Sequence, residues 1–296
     1  MRGKVVVMTG ATSGIGQVAA EKLAAMGARL VLVARDKARA GATLERLRKL
    51  SPATAHTVHY ADLVHLSEMK RAGEQIAAAE PRIDVLINNV GALFAYRRLS
   101  QDGLEFTFAL NHMSYFVLTH LLLDRLRTSA PSRVVNTASD AHEVATLDFD
   151  DLQSAKVYGS SNFLEWLRLE GPGFKVYGRS KLCNILFTRE LARRLAGAGV
   201  TANALHPGFV ATRFGDHSGG LISFGIRIGK RFALSPEKGA ETLLYLASSP
   251  EVAAASGGYY YKCRLAATSK FAQDDALARR LWVETAKLAA LPEKGD

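Results

Sequence analysis

The stretch TGATSGIG (Thr9–Gly16) places three glycines within eight residues. It follows the apolar run KVVVM (4–8), which predicts a short buried strand, and precedes QVAAEKLAAMG (17–27), whose apolar residues recur at helical spacing. Glycine lets the backbone approach another group closely. A loop between a strand and a helix presents free N–H groups and the positive end of the helix dipole to an anion. The stretch therefore predicts a phosphate- or pyrophosphate-binding loop.

The spacing of these glycines distinguishes between classes of nucleotide. Gly10, Gly14 and Gly16 follow the pattern G-x-x-x-G-x-G, which is the dinucleotide fingerprint G-x-G-x-x-G with a longer first turn. A P-loop requires Lys and then Ser or Thr after its last glycine, whereas Gln17 and Val18 occupy those positions. We therefore expect a dinucleotide to be bound by Gly10, Thr12, Ser13, Gly14, Ile15 and Gly16.

Strand-like and helix-like segments alternate along the rest of the chain. Six more apolar runs are typical of strands, at 28–34, 56–60, 84–89, 133–139, 200–206 and 257–261. Such alternation predicts an α/β fold: a doubly wound, Rossmann-type sheet of seven parallel strands with helices on both faces. No repeat, low-complexity tract or linker interrupts the pattern, so we expect a single domain over residues 1–296.

Composition and charge exclude several classes of protein. Of the 296 residues 48% are apolar, and 38 Lys+Arg against 28 Asp+Glu give a net charge of +10. The basic residues are scattered between apolar segments, which indicates solvated helix faces and no nucleic-acid partner. No apolar run approaches the roughly 20 residues of a membrane span, no signal-peptide pattern is present, and the two cysteines form no C-x-x-C pair. We therefore expect a cytoplasmic protein without a transmembrane segment.

A metal site is not expected from the histidines. His56 and His59 lie three apart in a predicted strand and would point to opposite faces of the sheet. No H-E-x-x-H motif or cysteine cluster accompanies them. Both are expected at the surface.

Short motifs after the predicted strands form an ordered series. They are NNVG (88–91), ALNHMSYF (109–116), NTAS (136–139), YGRSK (177–181) and HPG (206–208). With the glycine loop, this series resembles the short-chain dehydrogenase/reductase family over essentially the whole chain. The segment from Ser180 to Gly208 is particularly similar to the branch of retinol dehydrogenases and WW-domain oxidoreductases. The resemblance implies hydride transfer between a nicotinamide cofactor and a carbonyl or alcohol.

The catalytic residues are predicted partly from chemistry and partly from this resemblance. Tyr177 and Lys181 lie four apart in a predicted helix, so both side chains project from one face, and the lysine charge is expected to lower the tyrosine pKa. Tyr177 is thus the expected acid/base. By resemblance, Ser139 donates a hydrogen bond to the reacting oxygen, and Asn111 holds a water near Lys181.

These residues also have alternative interpretations, some of them purely structural. Ser139 could cap a turn at the end of a strand, and Asn111 could be an ordinary helix asparagine. Asp140 and His142, which follow Ser139, suggest a hydrolytic triad, but the chain has no G-x-S-x-G elbow. Tyr158 has Asn162 where Tyr177 has Lys181, so it is not an alternative acid/base.

The residue that follows the second predicted strand indicates the choice of cofactor. NAD-binding proteins commonly place an acid there for the ribose 2′-hydroxyl, whereas this chain has Arg35. Arg35 can pair with a 2′-phosphate if Asp36 faces away, so NADP(H) is expected in preference to NAD(H). Asp62 is expected at the adenine edge. The remaining predicted cofactor residues are Leu63, Asn89, Val90, Gly91, Tyr177, Lys181, Pro207, Gly208, Val210 and Thr212.

Two segments beyond the predicted sheet concern the substrate. The insert 143–174 is rich in apolar side chains, and the segment 213–235 combines apolar residues with glycines that suit a lid. Covering a bulky lipophilic substrate, of retinoid, steroid, terpenoid or fatty type, would explain both. Two alternatives stay open: the insert packs on the body of the protein, or Leu221, Ile222, Phe224 and Phe232 rest weakly on a membrane surface.

An alternative interpretation stays open for the oligomeric state and another for the function. The resemblance implies a homodimer or homotetramer through the long helices near Phe116 and Ile185, although these apolar faces could be core. A protein of another class, a dinucleotide-binding sensor or scaffold with little turnover, would share the glycine loop. The complete set of Asn111, Ser139, Tyr177 and Lys181 favours the enzyme, because a sensor does not need it.

Overall fold

A central sheet organises the part of the chain described by the computed structural model, residues 1–159, 171–210 and 234–293. Within these ranges the order of its eight strands is β3-β2-β1-β4-β5-β6-β7-β8, with only β8 antiparallel to its neighbour. The strands are β1 Val5–Thr9, β2 Arg29–Ala34, β3 Thr57–Tyr60, β4 Val85–Asn88, β5 Ser132–Thr137, β6 Val200–His206, β7 Tyr259–Tyr261 and β8 Arg264–Leu265. The doubly wound α/β fold is thereby confirmed.

The eighth strand is the one difference from the predicted seven. β8 follows β7 through Lys262 and Cys263, which have φ of 49° and 60° and form a two-residue hairpin turn. Such turns favour Gly, Asn and Asp, so neither residue indicates the turn in the sequence. The strand itself is only two residues long.

Helices cover both faces of the sheet. On one face α1 and α2 pack with α7, and on the other α3 and α4 pack with α6 and α8. The helices are α1 Gly14–Ala25, α2 Lys37–Leu50, α3 Leu66–Ala79, α4 Phe106–Thr128, α5 Ala155–Gly159, α6 Pro172–Arg194, α7 Pro236–Ser248 and α8 Asp275–Leu288. Because both faces are covered, the central strands β1, β2 and β4 are nearly continuous apolar runs instead of alternating ones.

The order of the strands reverses between β1 and β4: the chain continues from β1 to β2 on one side, and from β4 to β5 on the other. In a doubly wound sheet this point opens a crevice beyond the carboxyl ends of the strands. The glycine loop leaves β1 at that point, and the segment after β4 forms its other side. The topology therefore places the predicted cofactor residues around one crevice.

Helix α8 covers the face of α4 and α6 on which subunit contacts were expected. Trp282 of α8 is 3% exposed, and its ring centroid lies 5.0 Å from that of Phe116 and 5.8 Å from that of Phe187. Phe116 and Ile185 are 1% and 2% exposed. The core interpretation of these two residues is confirmed, and the oligomeric state stays a prediction.

Helix α4 is, among the described residues, the one helix long and apolar enough to cross a membrane. Its apolar stretch is 83% buried inside the protein. Its apolar residues face neighbouring elements of the protein, including Met69 and Ile76 of α3. The core of the fold thus accounts for its composition.

Three expectations made from the sequence can be located in the fold. The expectation that His56 lies at the surface is wrong, because the residue is 5% exposed. It lies beside β2, where its Nδ1 accepts a hydrogen bond from the N–H of Leu30 at 3.1 Å. Of the insert 143–174, residues 143–159 and 171–174 are described, and Phe149 packs under Arg280 of α8. Most of the expected lid, 213–233, lies outside the described residues.

Candidate active site

The glycine loop forms a narrow cradle between β1 and α1. Gly10 and Gly14 have φ of 69° and 54°, a region that favours glycine. A Cβ on Gly16 would collide with the carbonyl oxygen of Gly10, and a Cβ on Gly10 would come within 2.8 Å of Asn89 Nδ2. No side chain caps the start of α1 at Ser13, so the first N–H groups of the helix stay available to an anion. The loop fits a pyrophosphate.

Hydrogen bonds join the loop to the ends of β4 and β5. The Thr9 hydroxyl oxygen accepts from the N–H groups of Asn89 and Val90, at 2.9 and 3.1 Å. Asn89 Nδ2 donates to the Gly10 carbonyl at 3.2 Å, and its Oδ1 accepts from the Thr137 hydroxyl at 3.2 Å. These bonds hold the floor of the crevice together, and Thr9 and Thr137 have a part in it that the sequence did not reveal.

The crevice is a cleft of about 1180 Å³. That exceeds the volume of about 300–1,000 Å³ typical of a small-molecule pocket, so it has room for a dinucleotide and a second molecule. The predicted residues that line it are Gly10, Thr12, Ser13, Gly14, Ile15, Arg35, Asp62, Leu63, Ser139, Asn89, Val90, Gly91, Tyr177, Lys181, Pro207, Gly208 and Val210. Gly16 lies beneath the lining, and Thr212 is outside the described residues.

At the β2 end of the cleft two arginines flank the lining. Arg35 is 65% exposed in its side chain, and its Nη1 lies 3.4 Å from Asp62 Oδ2. Arg39, one helical turn later, donates from Nη2 to the Thr12 carbonyl at 3.3 Å. The Asp36 carboxylate accepts from the Arg39 N–H at 3.0 Å and so caps α2. Asp36 lines the cleft as well, and its facing away from a bound 2′-phosphate stays a prediction.

Tyr177, Ser139 and Lys181 meet at the opposite end of the cleft. The Ser139 hydroxyl hydrogen-bonds Tyr177, and Lys181 Nζ lies 5.5 Å from the centroid of the tyrosine ring. Lys181 Nζ donates to the Thr137 carbonyl at 2.9 Å. The predicted i, i+4 pair is therefore formed on α6, with both side chains turned into the protein.

Burial governs the protonation of this pair. It raises the pKa of Tyr177 above the usual range, against a lowering by the Ser139 hydrogen bond, and the Asp140 carboxylate raises it further. Burial also lowers the pKa of Lys181 to about 7. The predicted lowering of the tyrosine pKa by the lysine is therefore not found, because desolvation disfavours the charged form of both groups. Tyr177 stays protonated at neutral pH, as a proton donor requires.

Asn111 lies in a π-helical turn, Ala109–Met113, inside α4. Its Oδ1 accepts from the Ala92 N–H at 2.9 Å, and its Nδ2 donates to the Ala92 carbonyl and to Ser180 Oγ, both at 3.0 Å. A Cβ on Gly91 would lie 3.3 Å from both Asn111 Oδ1 and Lys181 Nζ. Asn111 is thus brought to the site, where it holds the segment after β4, and its water-holding role stays a prediction.

The hydrolytic alternative does not have the geometry it needs. His142 Nδ1 contacts the Ser139 carbonyl at 2.7 Å, and its Nε2 accepts from the Ser269 N–H at 3.3 Å. Neither ring nitrogen meets the Ser139 hydroxyl, which instead donates to Asp140 and accepts from the Ala141 N–H. The capping interpretation of Ser139 is thereby confirmed together with its contact to Tyr177.

Comparison with known proteins decides the family. The sequence profile described as short chain dehydrogenase matches residues 4–163. The chain is 39% identical to retinol dehydrogenase 14 of Homo sapiens over 302 residues, covering 95% of this chain and 85% of that protein. It belongs to the short-chain dehydrogenase family. The protein is accordingly an NAD(P)-dependent oxidoreductase.

Other relatives extend the comparison. Retinol dehydrogenase 13 of Homo sapiens is 38% identical, with 98% of this chain and 85% of that protein covered. A similar solved structure is an uncharacterized protein from Mycobacterium paratuberculosis, with a TM-score of 0.74, 29% identity and coverage of 99% and 96%. An NAD(P)-dependent gluconate 5-dehydrogenase from Beutenbergia cavernae with bound NADP shares the fold, with a TM-score of 0.68, 23% identity and coverage of 88% and 96%.

Two groups of residues that line the cleft of this dehydrogenase were not predicted from the sequence. Arg39 follows Arg35 at helical spacing, and that spacing could have identified it. On the substrate side, the residues after β4 and at the ends of two helices carried no pattern of their own. The missed residues of that side include Leu93, Phe94, Arg98, Phe106 and Leu110, whereas Phe174 belongs to the insert that was expected to cover the substrate.

Proposed function

We propose that this enzyme uses NADP(H) in preference to NAD(H) and acts on the carbonyl or alcohol of a bulky lipophilic compound. The cleft supports the proposal: it joins a pair of arginines at one end to an aromatic wall beside Tyr177 at the other. Each half has its own argument and its own test.

The reaction itself follows from the residues around Tyr177. The bound nicotinamide supplies or accepts the hydride. In the reducing direction the Tyr177 hydroxyl donates its proton to the carbonyl oxygen, and Ser139 hydrogen-bonds the charge that develops there. Lys181, with a pKa of about 7, can return a proton at neutral pH. In the oxidising direction the same groups accept the proton.

A single substitution tests this assignment. Tyr177→Phe removes the proton donor and is expected to reduce turnover at least about a hundredfold, with NADPH affinity nearly unchanged. Tyr245→Phe is the matched control, because the Tyr245 hydroxyl, on α7, donates to Glu251 just after that helix and neither residue lines the cleft. Near-full turnover by Tyr177→Phe would overturn the assignment. A wild type that binds NADPH but oxidises it with no carbonyl compound would favour the sensor instead.

The cofactor preference rests on charge at the adenosine end. Arg35 makes one long contact to Asp62 and is largely exposed, so its guanidinium is available to a phosphate. Arg39 is held beside the loop by the Thr12 carbonyl. The Asp36 carboxylate also lines the cleft, but it accepts a hydrogen bond from the Arg39 N–H and is outnumbered there by the two guanidinium groups. Two guanidinium groups around one dianion suit NADP(H).

Binding measurements test the preference. Arg35→Ala and Arg39→Ala are each expected to weaken NADPH binding about tenfold or more, the effect of one charge-assisted hydrogen bond, and to leave NADH binding within about twofold. Lys49→Ala removes an exposed cation at the far end of α2 and serves as the control. Equal affinities of the wild type for NADPH and NADH, or unchanged preference in both arginine variants, would contradict the proposal.

The substrate class rests on the wall beside Tyr177. Leu93 is 4% exposed and packs with Tyr177 and Ala141. The rings of Phe94 and Phe106 meet edge to face at 5.5 Å between centroids, and Phe174 is 39% exposed. Apolar walls of this kind favour lipophilic ligands. The relatives named retinol dehydrogenases support the same class, which includes retinoid, steroid, terpenoid and fatty compounds.

A panel of substrates with one pocket variant tests this class. Retinal, a steroid ketone and a long-chain aldehyde are expected to have higher kcat/KM than sugars or short keto acids. Phe174→Ala is expected to raise KM for the bulky compounds and to leave short aldehydes unaffected, since they do not reach that ring. Higher kcat/KM for any small polar carbonyl than for all bulky ones would refute the proposal.

The setting of the enzyme is proposed from sequence. We propose a cytoplasmic homodimer or homotetramer that uses surfaces other than the face covered by α8. Light scattering of the purified protein tests the assembly, and a monomer over the accessible concentration range would contradict it.

A further inference from the structure

A buried polar chain connects helix α8 with the back of the active site. Thr285 Oγ1 lies 3.1 Å from His112 Nε2, and His112 Nδ1 lies 3.3 Å from Asn184 Oδ1. Asn184 Nδ2 donates to the Asn111 carbonyl at 2.9 Å and to the Thr137 carbonyl at 3.3 Å. We call Thr285, His112 and Asn184 the Thr285 chain. All three side chains are fully buried, so water does not replace a lost contact.

The hydrogens of the chain have one consistent arrangement for a neutral histidine. Asn184 uses its amide nitrogen as donor to two carbonyls, so its Oδ1 can only accept. His112 must then carry its hydrogen on Nδ1, which leaves Nε2 as an acceptor. The Thr285 hydroxyl therefore donates to Nε2. The direction of the hydrogen bonds from α8 to the active site is thus set by the Asn184 amide. Each side chain of the Thr285 chain orients the one that follows it.

The chain ends on two carbonyls that matter to the proposed reaction. The Asn111 carbonyl belongs to the π-helical turn that aims the Asn111 side chain at Ala92 and Ser180. The Thr137 carbonyl also accepts from Lys181 Nζ at 2.9 Å, so Asn184 and Lys181 share one acceptor. If the Asn184 side chain rotated, the Asn111 carbonyl would lose this hydrogen-bond donor. The Thr137 carbonyl would lose one of its two donors, which would change the electrostatic field around Lys181.

We propose that Thr285 is a positioning residue for catalysis: through His112 and Asn184 it holds the Asn111 turn and the Thr137 carbonyl in the arrangement that Lys181 requires. Helix α8 thereby takes part in the active site without reaching the cleft. The inference rests on the roles proposed above for Asn111 and Lys181. It makes the Thr285 hydroxyl, and not the packing of its methyl group, the important feature.

Two pairs of substitutions isolate that hydroxyl. Thr and Val have nearly the same shape, as do Ser and Ala, and within each pair one member has the hydroxyl. Thr285→Val and Thr285→Ala are expected to lower kcat about fivefold or more, the effect of one neutral hydrogen bond, with KM and NADPH affinity within about twofold. Thr285→Ser is expected to retain kcat within about twofold of wild type. The midpoint of the pH profile of kcat, which reports the titration of Lys181, should shift in Thr285→Val and Thr285→Ala but not in Thr285→Ser.

Packing on α8 supplies the control. Trp282→Phe loosens the contact of α8 with Phe116 and Phe187 and leaves the Thr285 chain intact. It is expected to lower Tm and to retain kcat. The proposal is overturned if Thr285→Val retains kcat, if Thr285→Ser loses as much kcat as Thr285→Ala, or if Trp282→Phe lowers kcat as much as Thr285→Val. Should Val not fold, the Ser and Ala pair decides the question alone.

A measurement without turnover separates this inference from the proposed function. The ¹⁵N spectrum of labelled histidine distinguishes the Nδ1–H tautomer from the Nε2–H tautomer, and His112→Gln assigns the signal. We expect an Nδ1–H signal for His112 in the wild type that changes in Thr285→Val and is retained in Thr285→Ser. An Nε2–H tautomer in the wild type would overturn the chain even in an active enzyme. An inactive wild type with the expected signal would overturn the catalytic role of the chain but not its geometry.

Discussion

Acid is expected to destabilise this protein through His112. Burial lowers the pKa of His112 to about 4, against 6.5 for an exposed histidine. Above pH 6.5 the residue is neutral in both the folded and the unfolded protein. As the pH falls from 6.5 to about 4, the unfolded chain takes up the proton first, so the free energy of unfolding decreases. At about 1.4 kcal/mol for each pH unit, the decrease amounts to about 3 kcal/mol.

Urea unfolding at several pH values between 7 and 4, followed by tryptophan fluorescence, measures this effect. His112→Gln cannot take up the proton, so its free energy of unfolding should fall by about 3 kcal/mol less over the same range, although it starts from a lower value at pH 7. The buried histidines His56 and His206, whose pKa values are also lowered, contribute equally to both proteins. Parallel curves for wild type and variant would refute the reasoning.

Three further predictions concern the site and the sheet. Because Lys181 loses its proton as the pH rises through about 7, kcat/KM for carbonyl reduction should fall about tenfold per pH unit above that value, and a flat profile to pH 9 would contradict this. Gly16→Ala should weaken NADPH binding at least about tenfold, measured by fluorescence titration, since its Cβ displaces the Gly10 carbonyl. Asp84 accepts from Lys4, Arg82 and the Val5 N–H, so Asp84→Ala should lower the free energy of unfolding by about 3 kcal/mol in urea, and a loss below 1 kcal/mol would contradict it.

The fold could be predicted from sequence because its signals are local. A buried parallel strand is a short apolar run in the sequence. The loop after β1 requires glycine at positions 10 and 16, where a Cβ would collide with neighbouring atoms. The exception has a physical reason as well. The turn before β8 uses Lys262 and Cys263 in a conformation typical of glycine and asparagine, and composition does not reveal it.

The candidate site could be predicted only as far as single motifs extend. Tyr177 and Lys181 are visible because helical spacing unites them. Their pKa values depend on burial by elements far away in sequence, and the sequence-based expectation for Tyr177 failed for that reason. Thr285 acts through its contact with His112, which lies 173 residues away in the sequence, and no pattern of residue types predicts such a pair.

The contact between α8 and the face formed by α4 and α6 forms late, because α8 is one of the last elements to be synthesised. A ribosome produces β1 to β6 and the whole of α6 before it reaches Asp275, where α8 begins. Until then the nascent chain already contains every catalytic residue, yet the aromatic surface around Phe116 and Phe187 lacks its cover, and His112 lacks the hydroxyl of Thr285. A domain generally folds as a unit. We therefore expect folding to be completed only after α8 has been synthesised, and a chain that stops before Asp275 to expose the aromatic surface around Phe116 and Phe187.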